Sequence, residues 1–114
     1  MKQTNKKWVN PKLKSRLLNK KKFTRLMHKN KVTAIYDLRS IDNEVKKSIK
    51  MYQTIDPVLI ENYLSLHDKK EIIILISEYE RTYVSLLTKK RLEGYKKIFI
   101  YKADKDNLDW IIKK

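Results

Sequence analysis

The sequence predicts an α/β domain: a small, mostly parallel sheet flanked by helices, carrying a basic N-terminal extension. Three observations predict it. Runs rich in β-branched and aromatic residues alternate with helical patterns, the run Ile72 to Ile76 is continuously aliphatic, and the helix-start pair Asp56-Pro57 and the only glycine, Gly94, fall between the runs. Strands that alternate with helices require crossovers, and these favour a parallel sheet with right-handed connections. A chain of 114 residues is long enough for one hydrophobic core and too short for two independent domains.

The first strand is read at Val32-Thr33-Ala34-Ile35-Tyr36-Asp37-Leu38, from its β-branched and aromatic content. Asp56 can cap free backbone N–H groups and Pro57 suits the first helical position, so a helix is expected there, with Leu59, Ile60, Tyr63 and Leu64 as its apolar stripe. Ile72 to Ile76 does not alternate between faces. It therefore belongs at the centre of a parallel sheet, buried on both sides. The next helix carries Tyr83, Leu86, Leu87 and Leu92, with Lys89, Lys90 and Arg91 near its C-terminal end, where cations suit the helix dipole. Gly94 sits where a helix C-cap calls for a left-handed backbone. Lys97 to Tyr101 makes a further strand, and Asp106 to Lys113 a closing helix with Leu108, Ile111 and Ile112.

Charge divides the chain at residue 31. The whole carries 28 Lys+Arg against 13 Asp+Glu, a formal net charge of +15. Residues 1 to 31 hold 12 basic and no acidic side chains, so the rest contributes only +3. Residues 1–31 are read as a basic arm, partly disordered or helical, and residues 32–114 as the α/β domain. Within the arm, Asn10-Pro11 is a helix start lined by Leu13, Leu17 and Leu18, and Phe23, Leu26 and Met27 form a small apolar patch that docks the arm. The first nine residues have too little to bury and are expected to be disordered in isolation. A genome rich in A and T would inflate Lys, Asn, Ile and Tyr together, yet composition drift does not clear every acid from 31 consecutive positions.

Several function classes drop out. With no cysteine there is no disulfide, thiolate nucleophile or cysteine zinc site, and two histidines, His28 and His67, do not suggest a metal centre. No apolar run approaches the roughly 20 residues that cross a bilayer, and none follows the basic start as a secretory signal requires. The expected compartment is intracellular and cytoplasmic, with an organellar matrix as the alternative. A mitochondrial targeting peptide is disfavoured by an arm of ten Lys, two Arg and one Ser.

Asp37-Leu38-Arg39 after Ala34-Ile35-Tyr36, then Glu44, the segment Ser48 to Ile55, the aliphatic strand Ile72 to Ile76, the turn Gly94-Tyr95-Lys96-Lys97-Ile98 and Trp110 succeed one another in an order that resembles the rhodanese-like family. The resemblance covers roughly residues 32 to 112. It implies a catalytic position at the end of the aliphatic strand, which is Ser77 here, where active members hold cysteine. The loop departs further from the family pattern. Glu80 stands where the family prefers glycine and Thr82 where it prefers arginine, with Arg81 one position early. A thiolate ionises near neutral pH, whereas a serine hydroxyl needs a neighbouring base, and Glu78 is the only local one. Glu78 and Glu80 also oppose an anionic group: one like-charge repulsion at about 5 Å costs about 3 kcal/mol at an effective dielectric near 20. The resemblance therefore implies a degenerate member without sulfurtransferase activity, in which Ser77, Glu78, Glu80, Arg81 and Thr82 are a vestigial loop. Ser77 is expected as a strand-end or helix-cap residue. Asp37 and Arg39 are expected to hold a strand end to a neighbouring turn, Asp104 and Asp106 to open a helix, Trp110 and the tyrosines to complete the core, and His67 to be a surface residue. No catalytic residue, cofactor or metal is expected.

The cations carry the functional expectation. Lys6, Lys7, Lys12, Lys14, Arg16, Lys20, Lys21, Lys22, Arg25, Lys29 and Lys31, with the interleaved Trp8, Phe23 and His28 available to stack on unpaired bases, suit a polyanion. Lysine is a point-charge phosphate binder, so little base specificity is expected. A basic extension on a small folded body resembles the plan of many ribosomal proteins. The expected function is noncatalytic RNA binding, as a ribosomal or ribosome-associated subunit contacting ribosomal RNA and ribosomal proteins. The alternative is a catalytically dead rhodanese-like module that binds an acidic protein partner; residual activity at Ser77 and a membrane-surface helix are weaker readings.

Overall fold

The computed structural model describes residues 16–29, 32–39, 51–104 and 108. Its centre is the aliphatic run. β4 (Ile72–Ser77) lies between β2 (Val32–Asp37) and β5 (Ile98–Lys102), and Ile73, Ile74, Leu75 and Ile76 are each fully buried. A strand covered on both faces has no solvent side to make polar, which is why the sequence shows no alternation there. β3 (Tyr52–Thr54) lies outside β2, and β1 (Leu17–Leu18) outside β5, giving the order β1-β5-β4-β2-β3 with every pairing parallel.

Among the described residues, three helices cover the two faces. On one side, α2 (Ile60–Ser65) and α3 (Val84–Leu92) bury Ile60, Leu64 and Leu87 against Ala34, Tyr36, Ile73, Leu75, Ile98 and Ile100. On the other, α1 (Lys20–Lys29) drives Phe23 among Val32, Ile35, Ile74 and Ile76. Alternate residues of β4 thus feed opposite clusters, as the pleat dictates. The fold class is the one the sequence predicts.

The helix signals act as read, with one difference in geometry. Asp56 accepts from the Val58 amide at 3.0 Å and Pro57 opens the turn, but Pro57–Leu59 is a 3₁₀ turn that precedes α2. Leu59 is consequently exposed and leaves the stripe, while Ile60 and Leu64 are buried. Gly94 comes after α3 with φ +109°. There its amide bonds the Arg91 carbonyl, and a Cβ would meet Lys69 Cδ at 3.0 Å.

The arm needs correction. Leu17 and Leu18 do not line a helix: they are β1, paired with Ile100 and Tyr101 on the sheet edge. Their side chains consequently enter opposite clusters, Leu17 with α2 and α3 and Leu18 with α1. The expected patch of Phe23, Leu26 and Met27 does dock, with Phe23 fully buried and edge-on to Tyr101 at 5.1 Å, so Phe23 is a core residue and not a stacking surface for bases. Sheet and core therefore draw in residues that charge alone assigns to the arm. Leu13, the first nine residues, Glu44 and Trp110 lie outside the described residues, as does the expected helix Asp106 to Lys113 apart from Leu108, which is buried with the α1 cluster.

Candidate nucleic-acid interface

Asn19 stands just before α1; its side-chain oxygen accepts from the Lys22 amide at 2.8 Å and its carbonyl accepts from Phe23 N at 2.9 Å. Asn is well suited to that position. The next three residues are not suited to theirs. Lys20, Lys21 and Lys22 fill the first turn, at the positive end of the helix dipole, where each cation is disfavoured by roughly 0.3–1 kcal/mol at low salt. No acidic residue offsets them anywhere in α1.

The helix turns Phe23, Leu26 and Met27 to the sheet, so the opposite face is cationic. Lys21, Arg25 and Lys29 repeat every four residues along it, and Lys22 and His28 flank them; all five are exposed. Like charges four apart in a helix cost about 0.2–0.5 kcal/mol per pair. The stripe is thus held together by Phe23 and its neighbours against its own repulsion. Arg16 stands just before β1, its carbonyl accepting from Ile100 N at 2.9 Å and its guanidinium 5.4 Å from the centre of the Phe99 ring. Lys6, Lys7, Trp8, Lys12, Lys14 and Lys31 lie outside the described residues.

The loop after β4, residues 77–83, lies beyond the carboxyl ends of the strands, the end at which open α/β folds hold ligands. Ser77 ends β4, buried. Its hydroxyl accepts from Tyr79 N at 3.1 Å and donates to Tyr79 O at 3.0 Å, closing a strand-end turn. A 3₁₀ turn, Glu80–Tyr83, then leads into α3, with Arg81 and Thr82 exposed. Glu78 is half-buried; burial first, then the Glu78 charge, raises the Tyr83 phenol above its ordinary value.

Asp37 and Arg39 are both buried and joined twice, Nε to Oδ1 at 3.0 Å and a terminal nitrogen to Oδ2 at 2.9 Å. Tyr52 donates to Asp37 Oδ2 at 2.6 Å, and Arg39 donates to the Asp104 carbonyl at 2.9 Å. The pair therefore ties the end of β2 to β3 and to the turn after β5. Burial disfavours the Arg39 cation, but the bonds to and charge of Asp37 outweigh this and raise its pKa. Burial, and after it the bond to Asp37, pushes the Tyr52 phenol up. Asp104 contributes its backbone carbonyl here, and Asp106 lies outside the described residues.

One polar cluster escapes sequence reasoning. His67, expected on the surface, has Nε2 2.6 Å from the Tyr36 hydroxyl and Nδ1 2.7 Å from Glu71 Oε1, with a side chain only 15% exposed. An ionised carboxylate only accepts, so Nδ1 carries a proton; in the neutral ring Nε2 accepts from Tyr36. The nearest sequence signal is the four-residue spacing of His67 and Glu71, since Tyr36 is 31 residues away. Tyr36 is itself buried, and burial, then Tyr63 and Glu71, raise its pKa. Its hydroxyl serves the packing of β2 against the α2–β4 turn.

Among the described residues no group of His, Cys, Asp and Glu could hold a metal ion, and no helix is long and apolar enough to cross a membrane. In comparisons with protein-family models, curated proteins and solved structures, none matches this chain.

Proposed function

We propose that this protein is a noncatalytic RNA-binding protein, a ribosomal or ribosome-associated subunit, whose basic N-terminal segment engages the RNA backbone. The observation that carries the reading is the acid-free stripe Lys21, Arg25, Lys29 on a helix anchored by Phe23. A helix that breaks both the dipole rule and the four-residue charge rule pays for this elsewhere, and such local violations collect at functional sites. A polyanion removes both penalties, and each neutralised phosphate releases a condensed counterion.

The degenerate loop supports the noncatalytic half of the reading. The Ser77 hydroxyl is occupied at both its donor and an acceptor position by Tyr79, and Asp37 and Arg39 satisfy one another. We read the sheet as a degenerate rhodanese-like scaffold, supported by Asp37-Leu38-Arg39 at the end of β2 and Ser77 at the end of the central strand.

Removing residues 1–31 would also remove β1 and Phe23 from the core, so the test uses charge alone. Lys21→Gln, Arg25→Gln and Lys29→Gln together should weaken binding to an oligouridine and flatten its salt dependence by about 0.7 in log–log slope per lost contact. Unchanged affinity and slope refute the assignment. The exposed aromatic Tyr79 favours a second reading, a protein-docking loop. Capture of a partner that survives nuclease and is lost on substituting the loop 77–83 would select it.

A further inference from the structure

In this sheet every strand runs the same way. The start of β1, the last turn of α3 and the approach to β5 consequently share the end opposite the degenerate loop. Arg16, Arg91, Lys96 and Lys97 come together there by topology. Leu17 is in register with Ile100, so Arg16 falls beside Phe99, two residues past Lys97.

Two of these cations are unusually placed. Arg91 Nε is buried and, among the described residues, has no hydrogen-bond partner, although a buried donor left unmet costs about 1–3 kcal/mol, more when charged. Arg16 is half-buried over Phe99. Burial first, and then the charge of Arg91, pulls the Arg16 guanidinium below its ordinary value, so the two cations act on each other. Among the described residues, neither guanidinium is paired with a carboxylate. Their backbones are fixed: Arg16 O bonds Ile100 N, and Arg91 O bonds Gly94 N.

We propose that Arg16 and Arg91 form a seat for one phosphate of the RNA backbone, with Lys96 and Lys97 continuing the path along the outer edge of the sheet. The inference rests on the proposed RNA binding and locates where the strand leaves α1. The end of α3 presents carbonyls of partial negative charge, so an anion there must be held by side chains. Guanidinium suits this, because its planar fork matches a phosphate and its weaker hydration tolerates partial burial. A phosphate would offset the repulsion between the two arginines, and Arg91, a half-buried side chain, would turn outward to bring its unmet Nε donor to a phosphate oxygen.

The test is fluorescence anisotropy with a labelled oligouridine across a salt series, on the full chain and on Arg16→Gln, Arg91→Gln, Arg91→Lys and the α1 triple variant. Arg91→Gln should lower affinity about tenfold, as for one charge-assisted hydrogen bond, and reduce the slope by about 0.7. Arg91→Lys should keep the slope and lose part of the affinity. Thermal unfolding monitors the fold of each variant, and if Arg91→Gln fails to fold, Arg16→Gln carries the same expectation. If the full chain binds no RNA, the RNA reading falls and the seat with it. If the α1 variant weakens binding while Arg16→Gln and Arg91→Gln change neither affinity nor slope, the seat alone is refuted. Equal affinity for polyglutamate, equally reduced by Arg91→Gln, also overturns it in favour of an acidic protein.

Discussion

Phe23→Ala separates a basic arm that is appended to the domain from one that is built into it. Phe23 is fully buried, stands edge-on to Tyr101 at 5.1 Å and shares a cluster with Val32, Ile35, Ile74 and Ile76. Truncating a buried Phe costs about 3–5 kcal/mol in transfer and cavity terms, a large part of the roughly 5–15 kcal/mol that stabilises an ordinary domain. At about 4 °C per kcal/mol for a domain of this size, the midpoint of thermal unfolding should fall by about 12–20 °C. Urea unfolding monitored by far-ultraviolet circular dichroism measures the same loss as a lower midpoint with an unchanged slope. The full cost appears only if α1 unfolds together with the sheet. A loss below about 1 kcal/mol, or a separate early transition of helical signal with the main transition unmoved, would refute the integration of α1 into the core.

The remaining predictions concern the buried polar groups and the glycine at positive φ. Arg39→Ala leaves Asp37 buried without its partner and should destabilise by about 3–5 kcal/mol; the double variant Asp37→Leu/Arg39→Met should cost less in the same urea titration. Tyr52 has its phenol pKa raised in the folded state from its ordinary value of 10.0, so folding favours the neutral phenol. Its contribution is fully present below pH 10 and is lost as pH rises beyond it, because the unfolded chain ionises first. The urea midpoint should therefore drop above pH 10, and drop less steeply in Tyr52→Phe. Gly94→Ala places a Cβ at φ +109° and 3.0 Å from Lys69 Cδ, and should lower stability by about 1–3 kcal/mol in thermal unfolding; an unchanged midpoint would contradict the backbone conformation after α3.

The parts of the fold that sequence made legible are those whose signals are local. Five successive aliphatic residues require burial on two faces, Asp56-Pro57 is a cap and a first helical residue side by side, and Gly94 stands where α3 has just ended. β1 was not legible because two leucines between Arg16 and Asn19 look alike on a helix and on a strand; the choice is made by Ile100 and Tyr101, more than 80 residues away. β3 was hidden for a related reason. Its three residues owe their conformation to pairing with Ile35, Tyr36 and Asp37.

The polar groups divide in the same way. Ser77 and the Asp37–Arg39 pair act over one or two residues and behave as strand-end devices, as their positions suggested. His67 finds Tyr36 across the fold, and no neighbour in sequence announces it. Of the proposed interface, charge placement in the sequence points to the cations of α1, and the apolar residues Phe23, Leu26 and Met27 show which face of that helix is left free. The relation between Arg16 and Arg91 depends on β1 lying beside β5 and could not be read from either segment alone.

The position of β1 also sets an order in time. It is the first described segment of the chain to be synthesised and pairs only with β5, near the other end of the described chain. Synthesis proceeds from the N-terminus, and contacts distant in sequence close late. β1 and the cations that adjoin it, Arg16 and those of α1, therefore leave the ribosome before the strand that β1 pairs with has been made. During that interval their nearest large polyanion is the ribosomal RNA beside which they were made.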